Sequence, residues 1–264
     1  MTFKIGYSFL LLLFSIHMPV LSSAGDDFVP PTDYVRSKLQ QNDIVFLGTT
    51  HRKPKILHFI AELIPGLKEV GVTHIGMEIP SDQQEKIDHF MKTGDGLDNV
   101  QFHSQIDHPD YRYMFQVFRM NRGLKPIAID FPHSKFKGKI SRDEWMARSI
   151  LAVFKKDQPA KMLMIVGSLH IFKKLEWQEH VPNKHLSIRE YIKQENPSIR
   201  MWSVGQLIDR NKDECDFTKR FSPVPGAIAL DLDDRYRGWK MGLTALIAIL
   251  PSECFELVDG LIVY

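Results

Sequence analysis

Cysteine is nearly absent from this chain: among 264 residues there are two, Cys215 and Cys254. So few, so far apart, exclude a fold built on disulfides. No Cys-x-x-Cys spacing and no paired histidines accompany them, which excludes a structural zinc site at these cysteines. A single Cys215–Cys254 bond stays open. An excess of one charge is also missing. The 34 Lys and Arg face 32 Asp and Glu, for a formal net charge of +2. The basic residues are scattered along the chain, and this balance argues against a nucleic-acid partner. Beyond the N-terminus there is no long hydrophobic run. The best later stretch, Leu243 to Leu250, is far too short to cross a bilayer. The chain has no GxxxxGK[ST] phosphate loop and no HExxH helix. It also lacks a GxSxG elbow, because Val166-Gly-Ser-Leu-His170 has no second glycine.

The N-terminus carries the one apolar run of note. Lys4 precedes Phe9–Phe14 and a stretch reaching Leu21, and Ser22-Ser23-Ala24 follows with small residues. That is the three-part pattern of a secretory signal. The expectation is a signal peptide over residues 1–24 and an exported, periplasmic or secreted protein with no stable membrane span after cleavage. About 240 residues then remain, over 25–264, enough for one α/β domain with a sizeable core.

Through that domain, apolar strands alternate with amphipathic helices. Asp43–Gly48, Thr73–Glu78, Lys125–Asp130 and Lys161–Gly167 read as buried strands. Between them, helical patterns start at Pro30-Pro31-Thr32-Asp33 with Thr32 or Asp33 as cap, and run over Lys55–Val70 with a break at Pro65. Others run from Ser81 to about Lys92, over Tyr111–Asn121, and from a Ser141 cap with Glu144 at capping-box spacing. A helix from Ser187 and strands over Ile199–Val204, Ala227–Leu230 and Leu261–Val263 complete the pattern. This alternation predicts a single α/β domain with a mostly parallel central sheet covered by helices on both faces.

Ligands of open parallel sheets bind beyond the carboxyl ends of the strands. The first four strands deliver titratable groups there: His51 after Gly48-Thr49-Thr50, Glu78, Asp130, and His170 after Gly167-Ser168-Leu169. A neutral imidazole can take a proton or bind a metal. A neighbouring carboxylate can orient the ring and raise its basicity. The candidate catalytic set is therefore His51, Glu78, His170 and Asp130, and the candidate ligands for a divalent transition metal are His51, Glu78 and His170. Structural roles compete with each: a turn histidine, a salt bridge, a backbone-bonded histidine, a cap. His58 either points into this site or stays on the surface. Arg142 and Asp143 either contact a substrate or form a surface ion pair.

Leu47-Gly-Thr-Thr-His51, the helix with His58, Ile75-Gly-Met-Glu-Ile-Pro80, Gln83-Gln84 and Asp88-His-Phe90 resemble the ChaN-like branch of the Tiki/erythromycin-esterase superfamily. Ser141–Ala147, Ile165–His170 and Asp259–Val263 resemble later motifs of that branch. The resemblance covers most of the expected mature chain and implies an α/β sandwich around a central sheet. It implies three activities by branch: haem binding and iron uptake in ChaN-like proteins, ester hydrolysis with a histidine base in the esterases, and metal-dependent proteolysis in Tiki and TraB proteins. The family's first-motif histidine falls on His51, its second-strand acid on Glu78 and its late histidine on His170. Where ChaN and esterase patterns read Gly-Glu-x-His, this chain has Thr49, closer to the Tiki/TraB form.

Two functions follow as expectations. One is a hydrolase-type His/Glu/His site acting on a small-molecule or peptide substrate, with or without a metal. The other is haem capture for iron uptake, with His103, His108, Tyr111 and Tyr113 of the 94–113 insertion as candidate ligands beside Phe102 and Phe115. A homodimer around a ligand is left open.

Overall fold

The computed structural model describes residues 28–133, 140–208, 226–239, 249–250 and 252–264. The expected signal segment over 1–24 and Cys215 lie outside these residues, and the Cys215–Cys254 bond with them. Seven strands form one sheet: β1 (Ile44–Thr49), β2 (His74–Pro80), β3 (Lys125–Asp130), β4 (Met162–Gly167), β5 (Met201–Leu207), β6 (Ile228–Asp231) and β7 (Gly260–Val263). Their order is β3-β2-β4-β1-β5-β7-β6. Every pairing is parallel except β6 with β7.

Helices cover both faces. On one lie α1 (Pro31–Gln41), α2 (Pro54–Leu63), α3 (Gln84–Thr93) and α4 (Pro109–Met120). On the other lie α5 (Arg142–Lys156), α6 (Ile188–Glu195) and the single turn α7 (Cys254–Leu257). The strand residues divide with period two. Val45, Leu47, Leu163 and Ile165 enter the first core, and Ile44, Phe46, Met162 and Met164 the second. A strand buried on both faces needs apolar residues at every position, which is why β1 and β4 read as unbroken apolar runs. Among the described residues no helix is long and apolar enough to cross a membrane.

Helix starts follow local chemistry, with two departures from expectation. The first helix opens at Pro31, with Pro30 at the cap and no side-chain cap bond. Proline suits that first position because its missing N–H would be unpaired there anyway. Thr32 and Asp33 are therefore inside the helix. Ser81 likewise caps nothing, since Ser81–Gln83 is a 3₁₀ turn and α3 begins at Gln84. Pro65 ends α2 early, and Ile64–Gly66 continues as a 3₁₀ turn. Ser141 caps α5 as expected, its hydroxyl accepting the Glu144 N–H at 3.1 Å. At Ser187 the capping box with Glu190 is complete.

Both sheet edges are closed by short devices. Beyond β6, Val29 and Ala229 exchange backbone hydrogen bonds of 3.1 and 2.9 Å. Beyond β3, the Gln84 side chain takes the place of a strand. Its Nε2 donates to the Pro126 carbonyl at 3.0 Å, and its Oε1 accepts the Ala128 N–H at 2.7 Å. An open edge is a template for pairing with other chains. Gln84→Ala leaves the buried Ala128 amide unpaired and costs about 1–3 kcal/mol. Urea denaturation should show this loss, and sedimentation should show new concentration-dependent association. An unchanged midpoint and a strictly unaltered sedimentation profile count against the edge role.

Candidate functional site

The sheet order places the ends of β3, β2, β4 and β1 side by side. Asp130, Glu78, His170 and His51 therefore come from four neighbouring strand ends. Two local features shape them. Between Met77 and Pro80, β2 advances three residues while β3 advances two, from Ala128 to Asp130. This bulge falls within Glu78-Ile79, and bulges re-aim side chains near sites. After β1 the chain turns sharply, and Arg52 takes a left-handed φ of 57° directly after His51. It is the one non-glycine residue with positive φ among the described residues.

Arg142, the first residue of α5, ties the carboxylates together. Its Nε donates to Asp130 Oδ1 at 2.8 Å and its Nη2 to Glu78 Oε1 at 2.6 Å. Nη2 also bonds Asp130 Oδ2. Nη1 lies 3.3 Å from His170 Nε2. The other face of His170 is held by Asp143, whose Oδ1 is 2.5 Å from Nδ1. Glu78 Oε2 accepts the Gly167 N–H at 2.6 Å. Of the two sequence readings for Arg142 and Asp143, the surface ion pair does not hold. Each turns instead into this cluster.

Electrostatics follow from this packing. Burial pushes the Glu78 carboxyl up, but His170, Arg142, the Gly167 amide and His51 together hold it below the usual range. Asp130 behaves alike: burial opposes ionisation, and Arg142 and His103 overcome it. For His170, burial favours the neutral ring and Arg142 adds to that, yet Asp143 and Glu78 prevail and its pKa is raised. Tyr111 is pushed well up by burial and by the Glu78 and Asp130 charges, so its hydroxyl keeps its proton.

Gly167 forms the floor. Its φ of −56° is open to any residue, so glycine is there for space and not for conformation. A Cβ at this position would lie 3.1 Å from Glu78 Oε2 and 3.2 and 3.3 Å from His51 Cε1 and Nε2. Three buried polar atoms on the strand-end segments and α4 have no hydrogen-bond partner among the described residues: His51 Nδ1, Ser168 Oγ and Tyr111 OH. Such atoms are costly unless something else pairs with them. Nearby strand ends are different. Gln206 donates to the Gly48 carbonyl at 2.7 Å and accepts from the Tyr264 hydroxyl at 2.5 Å, so their polar groups are satisfied.

The insertion residues do not converge. His103 Nε2 is 3.0 Å from Asp130 Oδ2 and belongs to the rim of the cluster. His108 caps α4, its Nδ1 accepting the Asp110 N–H at 3.2 Å. Tyr111 packs among Phe102 and Phe115 in the core, while Tyr113 stands 53% exposed on the outer side of the same helix. His58 reaches Asp110 at 3.4 Å on the surface and not the strand ends. Among the described residues no three His, Cys, Asp or Glu are grouped to hold a metal. Between Glu78 and His170, the Arg142 guanidinium already supplies the positive charge.

The linkage signs give a stability test. Glu78 and Asp130 are depressed, so their contribution is present above about pH 4 and is lost as pH falls through their folded values. His170 is raised, so its contribution is complete below about pH 6.5 and is lost as pH rises through its folded value. His74, buried and depressed, has the opposite slope, so the effect is read as a difference between proteins. Thermal melts from pH 5 to 9 should show His170→Gln losing the alkaline decline that the parent shows. Parallel curves would remove the charged His170–Asp143 pair from the account.

Residues 35–138 match the family described as haem-binding uptake, Tiki superfamily, ChaN. No curated protein matches the sequence. Among solved structures, a succinoglycan biosynthesis protein aligns with 12% identity over 88% of this chain and 90% of its own, at a TM-score of 0.58. A Bacillus cereus protein aligns with 10% identity over 89% and 97%, also at 0.58. At these identities the likeness is one of fold. ChaN of Campylobacter jejuni, in a structure of cofacial haem binding, aligns with 12% identity over 88% and 91%, at 0.49. The chain spans only 37% and 36% of the length of two bacterial toxin structures it also matches. The matched stretch 35–138 contains His51, Glu78, Asp130 and the whole insertion, and over that stretch the chain is similar to the haem-binding-uptake, ChaN family of the Tiki superfamily.

Proposed function

We propose that the strand-end cluster is a metal-independent hydrolytic site for a carboxylic ester or amide in a small molecule or peptide. The observation that carries this reading is the convergence of the His51 ring and ionised Glu78 over Gly167, where a Cβ would lie 3.1 Å from Glu78 Oε2 and 3.2 Å from His51 Cε1. In this reading His51 takes a proton from water as the water oxygen attacks the carbonyl carbon. Ionised Glu78 stabilises the imidazolium so formed. The developing oxyanion faces Arg142 and His170, held in place by Asp130 and Asp143. As the tetrahedral intermediate collapses, His51 returns its proton to the departing alkoxide or amine. The orphaned Tyr111 hydroxyl, close to the Glu78 and Asp130 charges, offers a further donor.

The test is turnover on a panel of nitrophenyl esters and fluorogenic peptides. His51→Ala should lower the rate about 10²–10⁴-fold, the usual contribution of a general base. Gly167→Ala should lower it too, because its methyl presses on Glu78 Oε2 and the His51 ring. Equal turnover in His51→Ala and the parent overturns the hydrolytic reading.

A second reading, haem capture, rests on the family match and on one surface feature. An open groove of about 620 Å³ between α2 and α4 is lined by His58, Pro65, Tyr113, Val117 and Met120. Met120 is 69% exposed, unusual for so apolar a side chain. Histidine, tyrosine and methionine all ligate haem iron, and the apolar wall suits a porphyrin face. Of the insertion residues first considered, only Tyr113 lies in this groove. Hemin titration should then give a saturable Soret shift that is lost in Tyr113→Ala with His58→Ala and kept in His51→Ala. No shift, or a shift indifferent to both groove residues, ends this reading for the groove.

A further inference from the structure

Beyond the cluster, at its rim, two histidine rings lie side by side in an arrangement that neither function uses. The His103 and His133 rings have centroids 5.9 Å apart and planes inclined by 42°. Each ring is held by a carboxylate through one nitrogen. His103 Nε2 is 3.0 Å from Asp130 Oδ2, and His133 Nδ1 is 3.2 Å from Asp82 Oδ1. Asp82 is itself fixed, since its Oδ2 accepts the His133 backbone N–H at 2.9 Å. The remaining nitrogens, His103 Nδ1 and His133 Nε2, have no protein partner among the described residues. Both side chains are open to solvent, at 25% and 42% exposure.

We propose that His103 and His133 form a binding site for a divalent transition metal. Three observations converge. The first is spacing. A metal about 2.0–2.1 Å from each of two imidazole nitrogens places the ring centroids roughly 5–6 Å apart. The observed separation lies within that span. The second is the backing. Metal-bound histidines almost always give their other nitrogen to a carboxylate or carbonyl, which fixes the tautomer and aims the free lone pair outward. Here both rings have that partner, one from the end of β3 and one from the turn after β2. The third is ligand type. Two imidazoles without oxygen ligands favour Zn²⁺, Ni²⁺ or Cu²⁺ over Mg²⁺ or Ca²⁺.

The protein supplies two ligands and leaves the others to water or to a bound molecule, as in open sites. This site is distinct from a His51, Glu78 and His170 set. It connects to the cluster through Asp130, which accepts from both His103 and Arg142. The proposal does not depend on the hydrolytic reading, because its test needs no substrate.

The experiment is calorimetric titration of the full chain with ZnCl₂, paired with electron paramagnetic resonance of one equivalent of Cu²⁺. The expected result is one saturable Zn²⁺ site, abolished in the His103→Gln, His133→Gln double variant and unchanged in His58→Gln and His51→Gln. Asp82→Asn should weaken it about 10–100-fold, the usual effect of losing such a backing group. The Cu²⁺ spectrum should show hyperfine splitting from two nitrogens. Full Zn²⁺ affinity in the double variant, loss in His51→Gln, or a Cu²⁺ spectrum without two nitrogen ligands overturns the site. The Cu²⁺ measurement is made on the parent protein, so it decides even where a variant folds poorly.

Discussion

Two carboxylates buried at adjacent strand ends would repel each other and resist burial, and one guanidinium removes both problems. Arg142 binds Asp130 through two nitrogens and Glu78 through one, while its third nitrogen meets His170. Removing one partner from a buried charge network leaves the others uncompensated, at a far greater cost than an exposed pair. The ends of β2 and β3, the start of α5 and the turn after β4 are therefore held to one geometry. The Ser141 cap matters for the same reason: it fixes where α5 begins, and α5 begins with Arg142.

The strand ends were legible because each apolar run stops at a titratable residue, and a parallel sheet brings such ends to one edge. His51, Glu78, Asp130 and His170 could be picked out on that ground alone. What could not be read was the order of the strands. Nothing local in the sequence says that β4 inserts between β1 and β2, yet that insertion makes the four ends contiguous. Arg142 carried a weak signal, an arginine directly after a helix cap. A surface ion pair fitted it equally well, because burial at a helix start depends on the tertiary packing. The insertion misled for a related reason. His108, Tyr111 and Tyr113 are close in sequence, but a helix starting at Pro109 sends Tyr111 into the core and Tyr113 outward. Proximity along a chain gives convergence on a helix only at spacings of three or four.

The glycines also separate into types. Away from the site, Gly71 closes a turn and Gly94 caps α3, both with positive φ, roles that need glycine's freedom. Gly167 has an ordinary backbone, and what it provides is the absence of a side chain. The close approach of His51 and Glu78 over Gly167 thus depends on one missing methyl.

The strand order also governs when this region can come into being as the chain is made. β1 and β2 are synthesised first but are not neighbours, because β4 lies between them. Their parallel edges have no partner until residues 162–167 have emerged, and β2 has only β3 beside it before then. Long-range parallel pairings of this kind form late, since the intervening loop must first be closed. A ribosome-bound fragment ending near the start of α5 would hold the β2–β3 pair and its carboxylates, but neither Gly167 nor His170. Gly167 and His170 thus meet the β2 and β3 carboxylates only after more than half of synthesis, once β4 enters between β1 and β2.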